Sequence, residues 1–101
     1  MNDSEGARGL GDFQKLIERI YLDRDRARGW EKTFVWFVEE VGELARALHR
    51  EDDKNLGEEF ADVAAWLVTL ASLRGIDLRT AALKYAQGCP RCAHAPCVCP
   101  P

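Results

Sequence analysis

Apolar residues return every three or four positions along most of this chain, and no stretch alternates apolar and polar at every second residue. That rhythm matches the α-helical turn and leaves room for little besides helices packed on helices. Phe13, Leu16, Ile17, Ile20 and Tyr21 predict a first helix from Asp12 to about Arg28, with Asp12 as its N-cap and Gly29 as its stop. A second helix, about Glu31 to Arg50, carries the stripe Phe34, Phe37, Val38, Val41, Leu44, Ala45 and Leu48. The polar run EDDKN makes a short link. Asn55 is expected to cap a third helix reaching about Arg74, with Leu56, Phe60, Val63, Ala64, Leu67, Leu70 and Ala71 facing inward and Gly75 ending it. Asp77 caps a shorter fourth helix through about Gln87, closed by Gly88. Four helices on short links predict an all-α, four-helix bundle.

The 101 residues fit one domain: an N-terminal tail over 1–11, a helical domain over 12–88 and a cysteine-rich tail over 89–101. A chain this short buries a modest share of its surface, so the bundle is expected to be completed by a second copy, as a homodimer or homotetramer. The formal charge of −3, with acids and bases interspersed, argues against a nucleic acid polymer as partner. No apolar run approaches the roughly 20 residues that span a bilayer. The opening MNDSEGARGLGDF lacks a basic-then-apolar leader pattern. The expected setting is therefore cytoplasmic, with no membrane partner.

Acidic residues interrupt two of the apolar helices. In VEEVGELARAL, Glu40 and Glu43 stand about 60° apart on one side of helix two, at roughly 100° per residue, with Glu39 further round. In EEFADVAAWLV, Glu59 and Asp62 repeat the i, i+3 relation beside the stripe of helix three. A short link favours antiparallel packing of these helices, and the two acidic flanks can then converge. Clustered carboxylates repel one another and are costly to desolvate. Protonation, basic partners or a hard cation relieves them, and Mg²⁺ suits an all-oxygen site that also holds substrate phosphates. The alternative is a pair of solvated acidic faces bridged to neighbours such as Arg46 and Arg50.

EEVGE at 39–43 followed by EFAD at 59–62 resembles the EExxE…ExxD signature of the MazG-like nucleotide pyrophosphohydrolases, which are all-α enzymes. The resemblance runs from about residue 13 to 86 and is most specific in EEVGELARAL and LGEEFADVAAWLVTLA. It implies cleavage of nucleoside triphosphates between the α- and β-phosphates, yielding a monophosphate and pyrophosphate. It implies Glu40, Glu43, Glu59 and Asp62 as Mg²⁺ ligands for one or more ions. Glu39 would orient or deprotonate the attacking water, or support the ligands from behind. Lys84, in AALKYAQG, matches a phosphate-contacting lysine, although the asparagine that often follows it is Gly88 here. Trp30 resembles a base-pocket tryptophan of dCTP-cleaving relatives. Trp66, one turn beyond Asp62, is placed to stack on a base or ribose. For both, packing in the core or at a subunit interface is the alternative. Trp36 has no comparable placement.

In GCPRCAHAPCVCP, Cys89, Cys92, Cys97 and Cys99 form CxxC and CxC, a set that satisfies tetrahedral zinc in a structural role. The Cys-Pro-x-Cys form resembles zinc knuckles. His94 could replace one cysteine, and a reactive dithiol or disulfides formed on oxidation are competing readings. The expected activity is a Mg²⁺-dependent nucleoside triphosphate pyrophosphohydrolase. Its rivals are phosphoribosyl-ATP pyrophosphatase and a non-catalytic, zinc-bearing helical interaction module.

Overall fold

The computed structural model of the chain describes residues 9–50 and 53–101. Most of the expected N-terminal tail, and part of the link after helix two, lie outside the described residues. Within them the chain forms four α-helices: α1 Leu10–Arg28, α2 Trp30–Arg50, α3 Asp53–Leu73 and α4 Leu78–Ala82, the last followed by a 3-10 turn over Leu83–Tyr85. No strand occurs among the described residues. The fold class is all-α, as the periodicity requires.

Helix boundaries depart from the sequence reading at two starts. Gly9, not Asp12, occupies the N-cap of α1, and Asp12 sits in the first turn, where a carboxylate still favours the positive end of the helix dipole. Asn55 lies inside the first turn of α3 instead of capping it. A run such as DDKN has no apolar period from which a boundary can be read. The stops agree better. Gly29 (φ 89°) and Gly75 (φ 72°) take positive φ, which glycine adopts without a Cβ penalty. At Gly75 the Ile76 N–H donates to Ala71 O and the Gly75 N–H to Ser72 O, the paired bonds of a Schellman ending. Asp77 caps α4, its Oδ1 accepting from Arg79 N at 3.1 Å. The α-helical part of this last element ends at Ala82, short of the expected Gln87.

α2 packs antiparallel on α3: Trp30 reaches Arg74, Trp36 meets Trp66 and Glu43 neighbours Glu59, so one index falls as the other rises. α1 crosses the C-terminal half of α3 and is pinned there by Gln14. This buried amide donates to Ser72 Oγ (3.0 Å) and Ile76 O (2.8 Å) and accepts from Leu78 N (2.8 Å), tying α1 to the turn between α3 and α4. Ser72 in turn donates to Glu18 Oε2 at 2.6 Å. The core is small: among the described residues Ile17, Ala47 and Val68 are the buried apolar ones, beside buried Thr33 and Thr69.

The apolar stripes are only partly covered. Phe37 and Leu44 are half-buried, whereas Phe34, Val38, Val41, Ala45 and Leu48 of α2 remain exposed, Val38 at 51%. Phe60 and Leu67 of α3, expected inward, are also exposed in the single chain. Helical period identifies an apolar face but not which part of it another helix of the same chain covers. No helix among the described residues is long and apolar enough to cross a membrane.

Candidate functional site

The antiparallel register of α2 and α3 brings the two acidic flanks together. Glu40, Glu43 and Glu59 each offer a carboxylate oxygen within 4.8 Å of the others. Glu40 Oε2 and Glu59 Oε2 are buried and have no hydrogen-bond partner. Burial, then the charges of Glu43 and Asp62, push the Glu40 carboxyl up to about 7. Burial and the same two neighbours raise Glu59 as well, with Arg46 partly offsetting them. Asp62 acts on both through its charge but stands outside the closest trio and lines the adjoining cleft. Glu39 is exposed and does not join the cluster.

These groups fit a hard divalent cation. The donors are all oxygen, two are orphaned, and mutual repulsion is what a cation removes. Neighbouring ligands of six-coordinate Mg²⁺ stand about 3.0 Å apart and opposite ones about 4.2 Å, so side-chain shifts of about 1 Å bring the trio onto one ion.

Beside Asp62 opens a cleft of about 250 Å³, walled by Ile17, Tyr21, Arg28, Trp36 and Trp66 among others. Trp36 and Trp66 meet edge to face, centroids 5.6 Å apart at 75°. The Arg28 guanidinium lies 5.2 Å from the centroid of the first ring and 5.0 Å from that of the second. It is held in place by the buried Asp25 carboxylate and by Thr33, whose Oγ1 accepts from Arg28 Nε at 2.9 Å and donates to Gly29 O at 2.7 Å. The cation–π pairs and the ion pair fix this wall at the junction of α1 and α2.

The tryptophans distribute differently from the sequence expectation. Trp66 lines the cleft, and so does Trp36, which had no assigned place. Trp30 is not among the lining residues; its ring faces the Arg74 guanidinium at 5.3 Å. Lys84 is exposed on the 3-10 turn, with Nζ 5.1 Å from the Tyr85 centroid, and is not among the residues of the cluster or the cleft. Sequence reasoning missed Arg28, Trp36 and Asp25. The i, i+3 pairing of Asp25 and Arg28 was a legible signal for the ion pair alone.

The tail gathers its four thiols into a second cluster, every Sγ within 4.8 Å of the rest. The Val98 N–H, directed at Cys92 Sγ (3.5 Å), holds that thiol down at about 6. Backbone N–H groups of Cys92 and Arg91 lower Cys89, while hydrogen bonding among the thiols pushes Cys99 up to about 11, Cys97 contributing most.

The family model of the MazG nucleotide pyrophosphohydrolase domain matches residues 28–92, well over half of the chain, and that span holds Arg28, both tryptophans of the cleft and every clustered carboxylate. No curated protein matches the chain significantly. On the strength of that match, together with the all-α fold, the chain belongs to the MazG nucleotide pyrophosphohydrolase domain family.

Proposed function

We propose that this chain is a Mg²⁺-dependent nucleoside triphosphate pyrophosphohydrolase that releases pyrophosphate and leaves the monophosphate. The observation that carries the reading is that Glu40 and Glu59, on different helices, each bury a partnerless oxygen and each bring a carboxylate oxygen within 4.8 Å of the other and of Glu43. A family fold could persist without chemistry, but two buried carboxylate oxygens without partners, beside like charges, favour a cation.

In this reading Glu40, Glu43, Glu59 and Asp62 hold Mg²⁺. The ion supplies charge neutralisation and orientation to the triphosphate. Glu39, exposed next to the cluster, accepts a proton from the attacking water or aligns it for in-line attack. The cleft beside Asp62 receives the nucleoside, with Trp66 and Trp36 as apolar walls and Arg28 as their rigid backing. Lys84 and Trp30 serve substrate from another subunit, because in one chain neither lines the cleft. The exposed stripe of Phe34, Val38 and Val41 on α2 supports assembly as a homodimer or homotetramer, since a single copy leaves it in water. A cytoplasmic setting belongs to the same reading. The expected zinc site in the cysteine tail takes no part in this chemistry.

The test is a pyrophosphate-release screen over ribo- and deoxynucleoside triphosphates, with phosphoribosyl-ATP included, at zero and millimolar Mg²⁺. Turnover of at least one nucleoside triphosphate that needs Mg²⁺ and vanishes in both Glu43→Gln and Glu59→Gln is expected. Full activity in both variants would remove the carboxylates from the mechanism. Turnover confined to phosphoribosyl-ATP would reassign the substrate.

A further inference from the structure

Among the described residues, the chemical cluster that the nucleotide reading leaves unused is the tail. Cys89 Sγ lies 3.8 Å from Cys99 Sγ, and Cys92 Sγ lies 3.9 Å from Cys97 Sγ. A disulfide needs sulfurs about 2.05 Å apart, so neither pair is at bonding distance. Four sulfurs at Zn–S of about 2.3 Å define a tetrahedron whose edges are about 3.8 Å. Both separations match that edge, and each pairs one cysteine of the CxxC with one of the CxC.

The backbone around the thiols is shaped to the same end. Cys89 N–H donates to His94 O at 2.9 Å and Ala93 N–H to Cys89 O at 2.7 Å, closing a tight turn over residues 89–94. Val98 and Cys99 aim their N–H groups at Cys92 Sγ (3.5 Å) and Cys97 Sγ (3.3 Å), the arrangement that stabilises thiolates. Gly88 takes φ 101°, and a Cβ there would lie 2.8 Å from the His94 carbonyl, so the turn closes only on glycine. His94 Nδ1 donates to Cys92 O at 2.6 Å, which removes that nitrogen from any metal. None of residues 88–101 is buried. The segment therefore has no apolar core to offset the entropy of ordering it, and a chelated ion is the agent that segments of this kind use.

We propose that Cys89, Cys92, Cys97 and Cys99 form a closed, four-thiolate structural zinc site that folds the C-terminal segment independently of the carboxylate cluster. The inference does not rest on the nucleotide reading. The donor sets separate the two metals: sulfur selects zinc, and carboxylate oxygen selects magnesium. Four protein ligands leave no open position, so the ion holds the chain and performs no catalysis.

The test uses the full chain, purified under reducing conditions. Elemental analysis is expected to give one zinc per chain, unchanged by excess Mg²⁺. Replacement by Co²⁺ should give the intense visible bands and near-ultraviolet charge transfer of tetrahedral cobalt thiolate. His94→Ala should leave that spectrum unaltered, whereas Cys89→Ser and Cys97→Ser should each lose the ion while circular dichroism reports unchanged helix content. Trypsin cleavage after Arg91 should be slow in the zinc-loaded protein and fast after chelation. Substoichiometric zinc, bound iron in its place, a His94→Ala spectrum shifted from wild type, or equal cleavage with and without zinc would each overturn the proposal.

Discussion

Magnesium binding at the carboxylate cluster should expel protons, and the amount follows from Glu40. Its carboxyl titrates at about 7, against an ordinary 4.5, because burial and the charges of Glu43 and Asp62 disfavour the anion. In the metal-free protein Glu40 then carries about 0.9 proton at pH 6, about 0.5 at pH 7 and about 0.1 at pH 8. A cation ligated by this group must displace that fraction. Apparent Mg²⁺ affinity should therefore rise about tenfold, near 1.4 kcal/mol, between pH 6 and pH 8, most steeply at the acid end. Glu59, raised by the same neighbours, adds to the effect in the same direction. Calorimetric titration in two buffers of different ionisation heat counts the protons directly. Replacing Glu43 by Gln removes the largest charge effect on Glu40 and should flatten the pH dependence above pH 6, apart from any loss of affinity. Affinity independent of pH from 6 to 8, with no proton released at pH 6, would refute the reasoning.

The same raised carboxyl sets the sign for stability: with the folded-state value above the unfolded one, its contribution is full below about 4.5 and is lost as pH rises through about 7. Metal-free protein should thus melt at lower temperature at pH 8 than at pH 6, and saturating Mg²⁺ should reduce the difference, as differential scanning fluorimetry can check. Gln14→Leu deletes three hydrogen bonds and strands the Leu78 N–H and the Ile76 carbonyl, so urea unfolding should show a loss of about 2–4 kcal/mol. Arg28→Met leaves the Asp25 carboxylate buried without its partner and should destabilise by about 3 kcal/mol, with altered tryptophan fluorescence from Trp36 and Trp66. Gly88→Ala places a methyl against the His94 carbonyl and should weaken zinc retention by the tail while leaving the helical circular dichroism intact.

Several features of the candidate site are legible in the sequence. The i, i+3 spacing put Glu40 with Glu43 and Glu59 with Asp62, and a short link implied the antiparallel pairing that joins them. The four cysteines announced their cluster by spacing alone. Other features depended on relations between helices. Trp36 and Trp30 both sit on α2, and only the offset of α2 against α3 sends the first to Trp66 and the second to Arg74. Arg28 reads as one more base near a helix end until α1 and α2 meet at Gly29 and carry its guanidinium over two indole rings.

By itself the sequence determined what is local: helical period, the glycine stops at residues 29 and 75, the Asp77 cap, the acid pairs and the thiol spacing. Each depends on backbone sterics or on neighbours within a turn or two, which the order of residues specifies directly. Tertiary structure alone decided which acids lose water, which tryptophans wall the cleft and which part of each apolar stripe one chain can cover. Those outcomes depend on the rotation and offset of one helix against another, set by the whole packed interface and by no single residue pattern.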